Sequence, residues 1–167
     1  MTITAIETRY AGCRFRSRLE ARWAVFFDHQ GIRWEYEPKG FMTAAGPYLP
    51  DFRIPDYRLI IEVKGADPTP RALDRCAEVA RACQKHGGDM IILGGDIPVP
   101  LASVAFDTPT AWTLQEDEWV TSPLHEAWAW CTGDHYWSTS RGCDPYCDAL
   151  TAARSARFEY GESGAGS

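Results

Sequence analysis

The sequence lacks the features of a membrane or exported protein. No apolar run approaches the roughly 20 residues needed to cross a bilayer. The first residues, Met1 to Glu7, have neither the basic nor the apolar region of a signal peptide. The chain has six cysteines, and without an export signal we expect reduced thiols rather than a disulfide framework. These observations predict a soluble cytoplasmic protein.

The chain also lacks an excess of positive charge. Lysine and arginine total 17 against 23 aspartate and glutamate residues, for a formal net charge of −6. This balance argues against a general, histone-like grip on nucleic acid, but it leaves room for a local basic surface. Four arginines crowd the start of the first predicted helix: Arg14, Arg16, Arg18 and Arg22.

Apolar residues are present in sufficient number for one core. The 167 residues suit one compact domain with a small appendage, and 45% of them are hydrophobic. Periodicity predicts a helix at 17–30 and a second from Thr69 or Pro70 to about His86. Strands are predicted at 32–37, 48–54, 59–64 and 90–93, with a turn at 41–46. The order helix, three strands, helix, strand predicts a mixed α/β core.

The pattern weakens beyond residue 98, where prolines interrupt the chain and tryptophans are dense. We therefore predict three parts. They are a core at 1–98, a Cys- and Trp-rich C-terminal extension at 99–160, and a disordered tail at 161–167.

Two carboxylates and an ammonium group form the most informative pattern. Asp51 precedes Glu62-Val63-Lys64 by about a dozen positions. Because side chains alternate along a strand, Glu62 and Lys64 share one face and Val63 points to the other. Such a set can hold a hard cation and activate a water. The alternative interpretation is a turn aspartate and a solvated cross-strand pair.

Glu20 is the fourth candidate. It borders the apolar stripe of the first helix, so its carboxylate can reach a site formed by Asp51 and Glu62. The segment from Ser17 to Glu20 also matches a capping box, in which Glu20 closes the helix start. The two roles are compatible.

These pieces together resemble the PD-(D/E)XK nuclease superfamily. The matching segments are Arg16 to Glu20, Leu49 to Phe52 and Ile61 to Lys64, and a strand ending in Glu37-Pro38 fits as well. The pattern is most similar to the N-terminal nuclease domain of TnsA-type transposon endonucleases and to small phage-encoded endonucleases. The resemblance covers roughly residues 14–95. It implies a restriction-endonuclease-like αβββαβ core with a mixed sheet, located in the host cytoplasm if the protein is phage-encoded.

The resemblance also implies roles for these residues. Asp51, Glu62 and the Val63 carbonyl would bind Mg²⁺ or Mn²⁺, and Glu20 would bind a metal directly or through water. Lys64 would orient or help deprotonate the attacking water. The expected function is a metal-dependent DNA endonuclease. The alternatives are a catalytically silent nucleic-acid-binding or assembly protein with the same fold, and an RNA-directed or repair-type nuclease.

Partners and cofactors follow from this expectation. Phosphate contacts are expected from basic side chains near the site, with an ordinary solvated surface as the alternative for each. A two-strand cut would require a homodimer or a partner protein, and neither a membrane nor an organic cofactor is expected. The candidate nucleic-acid contacts are Arg14, Arg16, Arg18, Lys39 and Arg53.

The C-terminal cysteines suggest a second metal site. Cys131 and His135 are separated by three residues, as are Cys143 and Cys147. Two such pairs can close a tetrahedral zinc site, because thiolates and imidazole suit zinc. The alternative is three reduced cysteines and one surface histidine.

Overall fold

A computed structural model describes residues 7–99, 111–134 and 144–158 of the chain. Within them, four α-helices accompany a mixed sheet of six strands. The helices are α1 (Arg18–His29), α2 (Pro70–Gln84), α3 (Leu124–Thr132) and α4 (Asp144–Ser155). None of the helices in these ranges is both long and apolar enough to cross a membrane. The predicted mixed α/β class is therefore confirmed.

Ten strands occur in the described ranges. Six form the main sheet, in the order β10-β9-β8-β7-β6-β3, and the other four form the two-stranded sheets β1-β2 and β4-β5. Only β7 and β8 run parallel in the main sheet. The strands are β1 (Thr8–Tyr10), β2 (Cys13–Phe15), β3 (Glu35–Tyr36), β4 (Phe41–Thr43), β5 (Gly46–Tyr48), β6 (Phe52–Ile54), β7 (Leu59–Lys64), β8 (Asp89–Gly94), β9 (Ala111–Gln115) and β10 (Glu118–Ser122).

The main sheet separates two apolar clusters. On one face, Leu59, Ile61 and Val63 of β7 join a cluster that includes side chains of α1, α3 and α4. On the other face, Ile60 joins a cluster built largely from α2. This alternation confirms that Val63 faces away from the side shared by Ile60, Glu62 and Lys64, as the period of a strand requires.

The start and the buried face of α1 agree with the sequence pattern. Ser17 is the N-cap, and its hydroxyl accepts from the Glu20 backbone N–H at 3.2 Å. Trp23, Phe26 and Phe27 are buried at 0–1% exposure, as the three-four spacing of the stripe predicts.

Three predicted elements differ from the structure. The strand predicted at 48–54 is divided between β5 and β6. Pro50 has no N–H to donate to a neighbouring strand, and the backbone bends at Asp51. The strand predicted at 32–37 is reduced to Glu35 and Tyr36, and the turn predicted at 41–46 contains β4. Each difference lies in a short segment where tertiary context outweighs local propensity.

The region beyond residue 98 contributes to the same sheet and core. Strand β9 pairs with β8, and Ile91, Ile92 and Leu93 face residues of β9 in register. Ala149, Leu150 and Ala153 of α4 are fully buried in the cluster that contains α1. The described parts of the predicted extension therefore share a core with residues 7–99. The predicted tail at 161–167 lies outside the described residues.

Candidate active site

An open cavity of about 500 Å³ lies where the start of α1 meets the end of β7. Its wall contains all four residues predicted to carry the chemistry, although they come from three separate segments of the chain. The lining residues are Arg16, Glu20, Pro47, Tyr48, Leu49, Asp51, Glu62, Val63, Lys64 and Arg75.

Asp51 is held at the base of this cavity by the pairing of β6 with β7. Its backbone carbonyl accepts from Glu37 N at 2.8 Å, just before β6 begins. Its side chain is buried, and Oδ2 accepts from the Val63 N–H at 2.7 Å. The other oxygen, Oδ1, accepts from Arg16 Nη2 at 2.5 Å. Asp51 therefore ties the end of β7 to the segment that leads into α1.

The pKa of Asp51 is raised to about 7. Burial is the largest cause, because a low-dielectric surrounding disfavours the charged form, and the nearby Glu62 charge adds to it. The Glu20 charge acts in the same direction, whereas the Val63 N–H and the Arg16 guanidinium lower the pKa. Two buried carboxylates that repel each other would be stabilised by a cation between them.

Glu62 provides the clearest test of whether a cation fits. The residue is 4% exposed, and Oε1 forms an ion pair with Lys64 Nζ. Oε2 is buried and has no donor in hydrogen-bond geometry among the described residues, although the Tyr48 hydroxyl interacts with the Glu62 carboxylate. An unpaired buried carboxylate oxygen costs free energy. A divalent cation held by Asp51 and Glu62 would satisfy it, so this pair of residues fits a hard metal ion.

Lys64 lies beside Glu62 on the same face of β7. Burial lowers the pKa of Lys64, but the Glu62 carboxylate outweighs it, so the pKa lies above its usual value. The amine is therefore protonated at neutral pH. In this state it can neutralise negative charge but cannot accept a proton.

Glu20 helps to hold the start of α1 through the Ser17 hydroxyl and the Arg16 N–H, where a capping box would use the Ser17 backbone N–H. Oε1 accepts from the Ser17 hydroxyl at 2.7 Å, and Oε2 accepts from the Tyr36 hydroxyl at 2.6 Å. The Arg16 backbone N–H also donates to Oε2, at 3.2 Å. The carboxylate thus secures the start of α1 while lining the cavity. Its predicted contact with a metal stays a prediction.

Two residues of the site were missed by the sequence analysis. Tyr48 Oη lies 3.3 Å from the buried thiol of Cys76, and burial together with the Glu62 charge raises the pKa of Tyr48. Arg75 of α2 donates to the Pro47 carbonyl, and its guanidinium lies 5.1 Å from the centre of the Tyr48 ring. Arg75 Nε is buried without a partner in the described structure. No local spacing signals Arg75, because its position depends on how α2 packs on the sheet.

The predicted nucleic-acid contacts are dispersed. Only Arg16 lines the cavity with the carboxylates. Arg14 forms an exposed ion pair with Glu7, and Arg18 lines a different cavity. Lys39 and Arg53 line a third cavity near α2, and Arg53 also pairs with Glu35 at 3.2 Å.

Neither predicted metal site contains a cluster of three potential side-chain ligands in the described ranges. No group of three or more His, Cys, Asp or Glu side chains in residues 7–99, 111–134 and 144–158 is arranged to hold an ion. The set implied for Mg²⁺ at Asp51 and Glu62 needs only two carboxylates and the Val63 carbonyl. That set is compatible with this finding, because Mg²⁺ retains several waters.

The predicted zinc site falls partly outside the described residues, since His135 and Cys143 are not among them. Cys131 lies on α3, and its thiol is hydrogen-bonded to Asp89. Burial and the Asp89 charge raise the pKa of Cys131, which disfavours the thiolate that zinc requires. Cys147 lies on α4. The zinc site stays a prediction.

No protein-family model, curated protein or solved structure matches this chain. The geometry of the cavity is therefore the basis for the proposed function.

Proposed function

We propose that this protein is a metal-dependent endonuclease that hydrolyses phosphodiester bonds in DNA, with a restriction-endonuclease-like core. The observation that carries the proposal is the meeting of Asp51, Glu62 and Lys64 in one open cavity, with the buried Glu62 Oε2 left unpaired. Two buried carboxylates beside an ammonium group suit a hard cation and a phosphate better than an apolar substrate.

In this proposal, Asp51, Glu62 and the Val63 carbonyl would hold Mg²⁺ or Mn²⁺. Glu20, at the start of α1, would bind a metal directly or through water. The bound metal supplies a Lewis acid that lowers the pKa of a coordinated water and neutralises charge on phosphoryl oxygens. The new bond would join the water oxygen to phosphorus as the bond from phosphorus to one ester oxygen breaks. The attacking water would release one proton to solvent, and the leaving ester oxygen would take up one proton and depart as a hydroxyl group.

The basic residues of the cavity have separable roles in the same proposal. Protonated Lys64 orients the attacking water and stabilises negative charge that develops on the phosphate. Arg16 now donates to Asp51 Oδ1, one of the oxygens that would hold the metal. Release of Arg16 from Asp51 would free its guanidinium for a phosphate oxygen. Arg75 lines the same cavity, where it can contact the backbone of the nucleic acid.

One observation favours a second candidate, a nucleic-acid-binding or assembly protein without turnover. Each carboxylate already has a basic partner, Arg16 for Asp51 and Lys64 for Glu62. These ion pairs can stabilise the fold without any metal. The two candidates differ in whether a divalent cation displaces Arg16 and supports cleavage.

The test is a cleavage assay on supercoiled, linear and branched DNA, with a single-stranded RNA arm, in Mg²⁺, Mn²⁺ or EDTA. We expect metal-dependent cleavage of DNA, reduced by about 100-fold or more in Asp51→Ala and in Lys64→Ala. The first variant loses a metal ligand, and the second loses a positive charge that stabilises the transition state. The control is Arg81→Ala, which removes an exposed ion pair with Asp117 outside the cavity. Nucleic-acid binding without cleavage would favour the second candidate, and cleavage by both site variants at the control rate would refute the assigned roles.

A further inference from the structure

A second basic cavity lies beside the start of α1. Helices α1 and α4 pack in opposite directions, since Phe26 contacts Tyr146 near the start of α4, whereas Arg22 lines the same cavity as Arg154 near the end of α4. The cavity lies between the start of α1 and the end of α4 and has a volume of about 370 Å³. We call it the arginine pocket. The described residues that line it include four arginines and no acidic residue: Arg18, Arg22, Arg154, Ser155, Ala156, Arg157 and Phe158.

The arginine pocket carries an electrostatic cost. Arg18 and Arg22 are four positions apart on α1, so their charges are neighbours on one helix face and repel each other. Arg18 is also the first residue of α1, where the helix dipole is positive and an acidic residue would be the stabilising choice. Taken by themselves, both placements are unfavourable for helix stability.

The described structure leaves part of the Arg22 guanidinium without a close partner. Arg22 Nη1 lies 3.8 Å from Asp96, whose side chain is 64% exposed, so solvent screens this pair. Arg22 Nε is buried and has no hydrogen-bond partner among the described residues. Arg154 donates to the Ile97 carbonyl, which fixes the end of α4 against the loop after β8. A bound anion would satisfy Arg22 Nε and relieve the repulsion among the guanidinium groups.

The arginine pocket is close to the candidate active site along the chain. Arg16 lines the active-site cavity and Arg18 lines the arginine pocket. Their Cα atoms are at most about 7 Å apart, because two residues of extended chain span no more than that. One nucleic-acid strand that crosses the start of α1 can therefore reach both cavities.

We propose that the arginine pocket binds a backbone phosphate of the nucleic-acid substrate, near the phosphate that is cleaved. This inference rests on the proposed function for the identity of the polymer. The planar guanidinium fork matches a phosphate group with two parallel hydrogen bonds, which makes four arginines a phosphate site rather than a site for a simple halide. The pocket would position the strand without reading its sequence.

The test measures binding in EDTA, where no cleavage occurs, with a fluorescent 20-base-pair duplex and the matching single strand. The variants are Arg18→Gln/Arg157→Gln, Arg157→Gln alone, and the control Arg81→Gln. We expect the double variant to raise Kd about 5- to 20-fold and to lower the slope of log K against log salt by roughly one to two, since each phosphate contact contributes about 0.9 to that slope. Arg81→Gln should stay within about twofold of the unsubstituted protein, because its charge lies outside both cavities.

Arg157→Gln covers the case in which the double variant is unstable. Arg157 is exposed and lies beyond the end of α4, so its loss should leave the fold intact, which circular dichroism would verify. Arg154 is left unchanged because it supports the chain through Ile97. If both variants bind DNA like the Arg81→Gln control, the inference is wrong.

A further arm separates the possible sources of phosphate. If inorganic phosphate raises the melting temperature through Arg18 and Arg157 while DNA affinity is unchanged in the variants, the pocket serves a free anion and the proposal is overturned. The cleavage assay reports on the proposed function independently. If the protein cleaves DNA but the variants bind DNA with unchanged affinity, only the proposed phosphate site is refuted. If DNA binding depends on the arginine pocket but no cleavage occurs, only the proposed nuclease activity is refuted.

Discussion

Arg16 and Asp51 are joined by a 2.5 Å ion pair, although 35 positions separate them in the chain. Arg16 also pairs with Glu37 at 2.8 Å, so one guanidinium holds a buried and a partly exposed carboxylate together. The same Asp51 is a proposed metal ligand. A cation that enters the cavity must therefore compete with Arg16 for Asp51 Oδ1.

Removal of Arg16 should strengthen metal binding. We expect Arg16→Gln to lower the Kd for Mn²⁺ by up to about fivefold, because an ion pair with one exposed partner is worth roughly 0.2–1 kcal/mol. The measurement is calorimetric titration at pH 8.5, which lies above the Asp51 pKa of about 7. Arg53→Gln is the control, since Arg53 pairs with Glu35 away from the cavity. Weaker Mn²⁺ binding in Arg16→Gln than in this control would contradict the competition.

The raised pKa of Asp51 predicts how stability depends on pH. The pKa is about 7 in the folded protein and near 4 in the unfolded chain, so the folded state binds more protons between these values. The stabilising contribution of the protonated group is complete below about pH 4 and is lost as pH rises through about 7. We expect the melting temperature in EDTA to fall across this window, by roughly 2–4 °C for each 1 kcal/mol lost.

Asp51→Asn and Mg²⁺ are the two controls on that effect. The asparagine cannot ionise, so the pH dependence should become shallower in Asp51→Asn. Added Mg²⁺ should raise the melting temperature of the unsubstituted protein more at pH 8 than at pH 5, because the ionised pair is the ligand. Equal slopes in the two proteins would show that Asp51 is not the titrating group.

Glu20 can be tested for its two roles separately. Glutamine also closes a capping box, so Glu20→Gln should keep the melting temperature within about 2 °C, whereas Glu20→Ala should lose about 0.5–2 kcal/mol with the cap. If Glu20 also contacts the metal or its water, Glu20→Gln will lower cleavage about tenfold or more with stability unchanged. Full activity in Glu20→Gln would leave the residue as a helix cap alone.

Gly94 tests how tightly β9 packs against β8. A Cβ at Gly94 would lie 2.3 Å from a ring carbon of Trp112, which is on β9. Gly94→Ala should therefore cost about 1–3 kcal/mol, as overpacking usually does. The matched control is Gly65→Ala, because a Cβ there meets no atom within 4 Å. Urea unfolding measures both, and equal stability of the two variants would mean that Trp112 moves aside without cost.

Local patterns predicted the elements that have strong local signals. The Ser17 cap and the spacing of Trp23 and Phe27 predicted α1 nearly to the residue, because capping and helical periodicity act within a few positions. The apolar run at 59–64 predicted β7, and its alternation predicted that Glu62 and Lys64 share a face. Pro70 similarly predicted the start of α2.

The short strands had no comparable signal. Strand β3 contains only Glu35 and Tyr36, and the strands from β4 to β6 contain three residues each. Too few positions are available for alternation to be recognised, and pairing partners decide whether such segments become strands. Strands β9 and β10 were missed because the density of tryptophan in that region is compatible with several structures.

The sequence alone determined which side chains are chemically capable: two acidic residues and a lysine around a buried strand, and a glutamate at a helix start. Only the tertiary structure decided which of them meet. The antiparallel register of β6 and β7, with Phe52 opposite Ile61, brings Asp51 to the Val63 N–H, and helix packing brings in Arg75 and gathers the four arginines between α1 and α4. The physical reason is range, since capping and periodicity are set by neighbours in the chain, whereas strand register and helix packing are set by contacts between distant segments.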